Sequence, residues 1–220
     1  MSTLPGEVVL TSPWRPRPPV AEDLVAKKPR ASLPSISVAT TSTIPGSAGA
    51  AVEWGDVKVH VSVAPPSQPT QHTMSHDHAV LEVEVLVAPF ASLDDGNISE
   101  LDLARLVREA LASVVDVSAY PKSVISFRAV ILSMAKSSVL PALILGATAA
   151  VEAADLRVKG RVIATAFDID GVTSITGFEL TTSRVALLHC TGIPDIGLGL
   201  SAARQIEADL VDCGALRVRT

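Results

Sequence analysis

The sequence predicts an α+β fold of mixed α/β layers. Three observations predict it: apolar residues alternate with period two in 57–63 and 81–87, they recur at helical spacing in 100–117, and the chain runs strands, helix, strand, helix, strands, helix. The 220 residues and 22.9 kDa leave room for one domain with extensions, or at most two small ones. With 48% hydrophobic and 19% charged residues, most of the chain can bury a core, which excludes global disorder. Aromatics make up only 3%, so the core is built from Ala, Val, Leu and Ile, and little is left for a base-stacking platform.

The elements follow in order. Residues 1–44 are rich in Pro, Ser and Thr and are read as an arm, partly extended or disordered, because proline removes an amide donor and fixes φ. The domain is expected over 45–220. Val57, Val59, Val61 and Val63 alternate with Lys58, His60 and Ser62 in a half-buried strand, with 48–53 as its partner and Trp54-Gly55-Asp56 as the turn. Residues 81–87 make a third strand, and the three are expected as an antiparallel meander. Ser99 and Asp102 have capping-box spacing at the head of a helix over 100–117. After Tyr120-Pro121 a strand is expected over 123–132. A second helix starts at Ser137 or Ser138, tolerates Pro141 in its first turn and ends near Ala154; its Ala and Gly content allows close approach to a sheet. Three strands (161–168, 172–178, 184–190) and a last helix (201–213) complete the domain.

Charge and targeting signals narrow the function classes. Of 18 basic and 23 acidic side chains, five and three lie in residues 1–30, so the body of the chain is acidic and any contact with nucleic acid must be local. Cys190 and Cys213 make neither a disulfide framework nor a metal-ligand pair. The longest largely apolar run, 139–151, falls short of the ~20 residues that cross a bilayer. With no secretory pattern at residue 1, the chain is expected to be intracellular, soluble and without a membrane partner.

Local motifs give no strong catalytic signal. His72, His76, Asp77 and His78 fall within seven residues, yet their spacing matches no ligand set, and a solvated loop is expected. Asp168 and Asp170 lie two apart on a strand, as a divalent cation would need, but Asp170-Gly171 also closes a hairpin. His189 and Cys190 are strand neighbours and face opposite ways. Gly197-Leu198-Gly199 lacks the third glycine of a dinucleotide fingerprint, with Ala202 in its place, and is read as a loop. No cofactor or metal is expected.

A family pattern emerges across 44–213. Gly46-Ser47-Ala48 with Val52-Glu53-Trp54-Gly55-Asp56-Val57, then Leu106-Val107-Arg108-Glu109-Ala110-Leu111, Tyr120-Pro121-Lys122-Ser123, Leu140-Pro141-Ala142-Leu143-Ile144-Leu145-Gly146 and the Asp-Gly turn after 161 resemble RNase PH-like domains in order and spacing. The resemblance implies an RNase PH-like fold, a βαβ architecture of the ribosomal protein S5 domain 2 type. Active members are phosphorolytic 3′ exoribonucleases, with a Gly-Gly-x-Arg-like phosphate loop before the second helix. Here that place reads Ala135-Lys136-Ser137-Ser138-Val139-Leu140, with neither glycine nor arginine. The family's downstream Asp is replaced by Thr176-Gly177, and Trp14-Arg15-Pro16-Arg17 is a loose substitute for its N-terminal Gly-Arg segment.

The chain therefore resembles the catalytically inactive RNase PH-type subunits of the eukaryotic RNA exosome core. That resemblance implies a non-catalytic place in a hexameric ring, with other RNase PH-like subunits, S1/KH-type cap subunits and RNA in the channel as partners. It also implies nuclear, nucleolar and cytoplasmic pools, and Lys27-Lys28-Pro29-Arg30 reads as a short import signal. Lys136, Ser137 and Ser138, at a helix N-terminus, are the expected contact with an RNA phosphate. The rival expectation is an active phosphate-dependent exoribonuclease using Arg128, Asp168 and Asp170.

Overall fold

A computed structural model describes residues 35–44, 46–68, 75–91, 99–134, 138–169, 172–190 and 195–216. The larger sheet grows from the alternation read in the sequence. β2 (Ser47–Trp54) and β3 (Val57–Val63) form an antiparallel hairpin around Gly55, whose φ of +57° is the left-handed turn conformation glycine adopts freely. Val57, Val59, Val61 and Val63 point into the core, and Lys58, His60 and Ser62 point out of it. β5 (Val124–Ser133) pairs with β3, and β4 (Val80–Val87) lies parallel to β5 on its far side, giving the order β1-β2-β3-β5-β4.

Two expectations change here. The meander is not formed, because the chain between β4 and β5 contains α1 (Glu100–Val114), and a strand, helix and strand in succession close into a parallel βαβ unit. The sheet also begins earlier than the expected boundary at 45. β1 (Ile36–Ile44) pairs antiparallel with β2 from Ile36 opposite Trp54 to Ile44 opposite Ser47. Among its described side chains Ile36 and Val38 pack on the core from this edge strand, and its Ser, Thr and Ala residues gave no visible alternation. The residues before 35 lie outside the described ones.

α1 stops at Val114, three residues short of the expected end. Val115 leaves the helix to bridge Val158, and Asp116 N–H donates to the Arg157 carbonyl at 3.0 Å. The second sheet, β6 (Val162–Ile169), β7 (Val172–Glu179) and β8 (Arg184–Cys190), is an antiparallel run, with Ile169 opposite Val172 as the Asp-Gly hairpin requires. α3 (Ile196–Asp212) packs on β6 and β7 and starts five residues before the expected helix. Gly197 and Gly199 therefore belong to its first turns. Gly199 is needed there, because a Cβ would lie 2.7 Å from Thr176 Oγ1 and 2.9 Å from the Phe178 ring.

α2 (Val139–Ala153) joins the layers. Every residue from Val139 to Val151 is buried, because the helix packs on β2 and β3 on one side and on β6 on another. Gly146 sits where a Cβ would come within 2.8 Å of Val61 Cγ2 and 3.3 Å of Val52 Cγ2. The one hydroxyl in the buried run, Thr148 Oγ1, donates to the Val162 carbonyl at 2.9 Å, so nothing polar is stranded. The helix ends in a Schellman pattern with Asp155 at φ +60° where glycine is usual: Leu156 N–H donates to Val151 O and Asp155 N–H to Glu152 O.

A buried ion network fastens α3 to this layer. Arg161, 2% exposed at the start of β6, donates from Nε and Nη2 to the two carboxylate oxygens of Glu152 (2.7 and 2.9 Å) and from Nη1 to Glu207 (2.7 Å). Burial alone would lower the Arg161 pKa, but its hydrogen bonds and charge contacts with Glu152 and Glu207 outweigh that and raise it.

Two substitutions test this packing. Gly146→Ala gains about 1 kcal/mol of helix propensity but forces Val61 aside, so it should cost a net 1–2 kcal/mol or so in urea unfolding, recovered in part by Val61→Ala. Arg161→Met removes both charge-assisted bonds to the buried Glu152 carboxylate and should cost about 3–5 kcal/mol by the same measurement, several times the loss from Glu207→Gln at the more exposed end.

Candidate functional site

Three helices start at one end of the domain. α1 follows β4, α2 follows β5 and α3 follows β8, and each runs back along its layer, so their N-termini gather beyond the carboxyl ends of those strands. In layered α/β structures this is where ligands bind, and free amides there favour anions.

The charges at these starts oppose an anion. At α1, Ser99 Oγ accepts from Asp102 N–H (3.1 Å) and donates to Asp102 Oδ2 (2.7 Å), the expected cap. The Ser99 hydroxyl, and then its amide, hold the Asp102 carboxyl below its ordinary pKa, so it stays ionised at neutral pH. Glu100 Oε1 accepts from Val87 N–H at 2.7 Å and ties α1 to the end of β4. At α3, Asp195 Oδ1 accepts from Leu198 N–H at 2.9 Å. No Lys or Arg stands in the first turn of any of the three helices.

α2 starts differently. Ser138 is its N-cap with backbone in the helical region (φ −101°, ψ −8°), and its hydroxyl makes no capping bond. Val139 and Leu140 are buried and Pro141 has no amide, so the first turn offers two amide donors in apolar surroundings. Of the expected RNA-phosphate contacts, Ser138 is placed at this N-terminus, while Lys136 and Ser137 lie outside the described residues.

The rival catalytic set is not brought together in the part that is described. Arg128 alternates with Phe127 and Ala129, which face the helices, so it stands on the outer face of the large sheet, paired with Glu84 at 2.9 Å. There it lines an open groove of about 650 Å³ with Glu82, Glu84, Ser62 and Ser126. Two carboxylates against one guanidinium make this groove a poor place for phosphate. Asp168 lies on β6 opposite Thr173, on the far side of α2 from that face. The Asp168 side chain, Asp170 and Gly171 are outside the described residues, as are His72, the Cys190 side chain, Trp14 to Arg17 and Lys27 to Arg30. His76 and His78 are exposed, His78 Nδ1 lying 3.1 Å from Ser75 Oγ, and no cluster of potential metal ligands occurs among the described residues. None of the described helices is long and apolar enough to cross a membrane.

The sequence reading missed Asp195 as a cap, although an Asp three residues before a helical amide is the usual signal; the glycines after it masked the helix start. It also missed Arg161, which no spacing in the sequence marks as buried.

The chain can now be set beside known proteins. Residues 34–157 match the 3′ exoribonuclease family, domain 1, the RNase PH family. No curated protein sequence matches. Among solved structures the chain is similar to rice (Oryza sativa) Rrp46, with 18% identity, a TM-score of 0.69 and coverage of 83% of this chain and 95% of that one. It is also similar to a chain of the Archaeoglobus fulgidus exosome with RNA bound to the active site (17% identity, TM-score 0.64, covering 81% and 89%) and to one of an archaeal exosome core (17%, 0.59, 80% and 86%). At such identities the likeness is one of fold. The family match spans more than half of the sequence and includes α1 and α2, and on that ground the chain belongs to the RNase PH family of 3′ exoribonuclease domains.

Proposed function

We propose that this chain is a non-catalytic subunit of an exosome core ring, supporting 3′-to-5′ RNA processing and degradation by assembly and by lining the RNA channel. The fold it shares with rice Rrp46 and with chains of two archaeal exosome structures supports the ring. Its partners are then other RNase PH-like subunits in a hexamer, S1/KH-type cap subunits and the RNA that passes through. It acts in the nucleus, nucleolus and cytoplasm.

One observation carries the non-catalytic half of this reading. Phosphorolysis brings inorganic phosphate, an anion, against an anionic phosphodiester, and the reaction needs fixed positive charge and amide donors where they meet. The segment that provides these in active relatives is Ala135-Lys136-Ser137-Ser138-Val139-Leu140 here, and the helix starts around it bear Glu100, Asp102 and Asp195. A single lysine, Lys136, is left to touch an RNA phosphate, together with Ser137 and Ser138. That is enough for a contact and too little to hold two anions together.

The test is direct. The purified chain, given labelled single-stranded RNA, Mg²⁺ and inorganic phosphate, should release no nucleoside diphosphate above a no-protein control. Release of nucleoside diphosphates that requires phosphate would overturn the reading and favour the active enzyme.

A further inference from the structure

One side of the end where the helices start is both apolar and acidic. Ala88 N–H donates to the Ile131 carbonyl and Ala91 N–H to the Ala88 carbonyl, so residues 88–91 turn beside the end of β5. Phe90, in that turn, is 75% exposed, and Leu132, next along β5, is 39% exposed. Glu100 binds Val87 N–H, which sets the first turn of α1 against the end of β4, and Leu101 there is 82% exposed. Leu103, Leu106 and Val107 fill the buried side of that helix, so Leu101 has no place in the core. Half of the six exposed large apolar side chains among the described residues lie on this strip, the two most exposed included. Monomeric domains seldom group such side chains without a partner.

The strip carries one sign of charge. Ser133 Oγ donates to the Asp56 carbonyl at 2.8 Å and holds the β2–β3 turn at the same end, which adds Glu53 and Asp56 to Glu100 and Asp102. Among the described residues these four carboxylates face one ammonium, Lys58, which Glu53 already binds at 2.9 Å. Arg105, one turn into α1, is bound to Glu109 at 3.2 Å. RNA and anionic lipid both need cations and are repelled here. A second copy laid strip to strip would set carboxylate against carboxylate.

We propose that the strip of Phe90, Leu101 and Leu132 docks a segment of another protein that carries Lys or Arg beside apolar side chains. The apolar residues form the covered centre, and Asp56, Glu100 and Asp102 form a rim that selects cations. This goes beyond the ring assignment and does not depend on it, since it stands or falls on the chemistry of whatever touches these three residues.

Photo-crosslinking of the full chain in its own cells tests the proposal, with p-benzoylphenylalanine in place of Phe90 or Leu101 and, as a control at the opposite end of β5, in place of Lys122. Adducts at 90 and 101 should exceed those at 122 by at least about fivefold and survive ribonuclease. Mass spectrometry should map them to peptides with more Lys and Arg than Asp and Glu, and with apolar residues among them. Glu100→Gln with Asp102→Asn keeps both hydrogen-bond acceptors while removing two charges, and should cut the adduct at 90 by at least about threefold. Asp56→Asn, remote from α1, should cut it as well, which keeps the test decisive where the double variant loosens the helix. No adduct at either position overturns the proposal, as do adducts with RNA, with lipid or with acidic peptides. So does an equal yield at 122, or a yield indifferent to both charge deletions.

Discussion

An uncharged run of helix, buried on every side, holds this domain together. From Val139 to Val151 α2 presents only apolar, small or hydrogen-bonded residues, and both sheets lean on it. Burial all round is possible because Gly146, Ala142 and Ala149 let strands come close, and because Thr148 finds a carbonyl. The first charge after this run, Glu152, is at once taken by Arg161, which carries the linkage on to α3. Each added methyl or unpaired charge along this line acts on both layers together.

The same constraint bears on function. On the proposed reading, the segment before this helix is where active relatives hold phosphate, and 135–140 here hold neither glycine nor arginine. Here the buried run begins at Val139, Leu140 and Pro141, and the neighbouring helix starts are capped by Ser99, with Asp102 beside it, and by Asp195. The domain keeps the family's fold while carboxylates stand at the described starts of α1 and α3.

Much of the architecture was legible in the sequence, for physical reasons that particular residues make plain. Alternating valines in β3, the Ser99–Asp102 cap and the apolar run of α2 are strong periodic or capping signals, and each appears where expected. β1 was hidden because an edge strand buries little, so Ser, Thr and Ala serve as well as valine. The place of β4 was misjudged because alternation reports a buried face and says nothing about which neighbour a strand pairs with. The start of α3 was missed because Gly197 and Gly199 look like loop residues, whereas Gly199 is there for close packing on Phe178. At the candidate site, the sequence shows neither glycine nor arginine in 135–140, and only the family resemblance gives that its meaning. The position of Arg128 on the far face of the sheet and the burial of Arg161 needed the fold, since both depend on contacts distant in sequence.

The central claim is that this domain works as one part of a ring of similar domains. Affinity isolation of the tagged full-length chain from its own cells, with quantification of every chain that accompanies it, tests that claim most directly. The account predicts five other RNase PH-type chains in amounts equal to the tagged one. Recovery of the chain alone, or with unrelated proteins only, would contradict it.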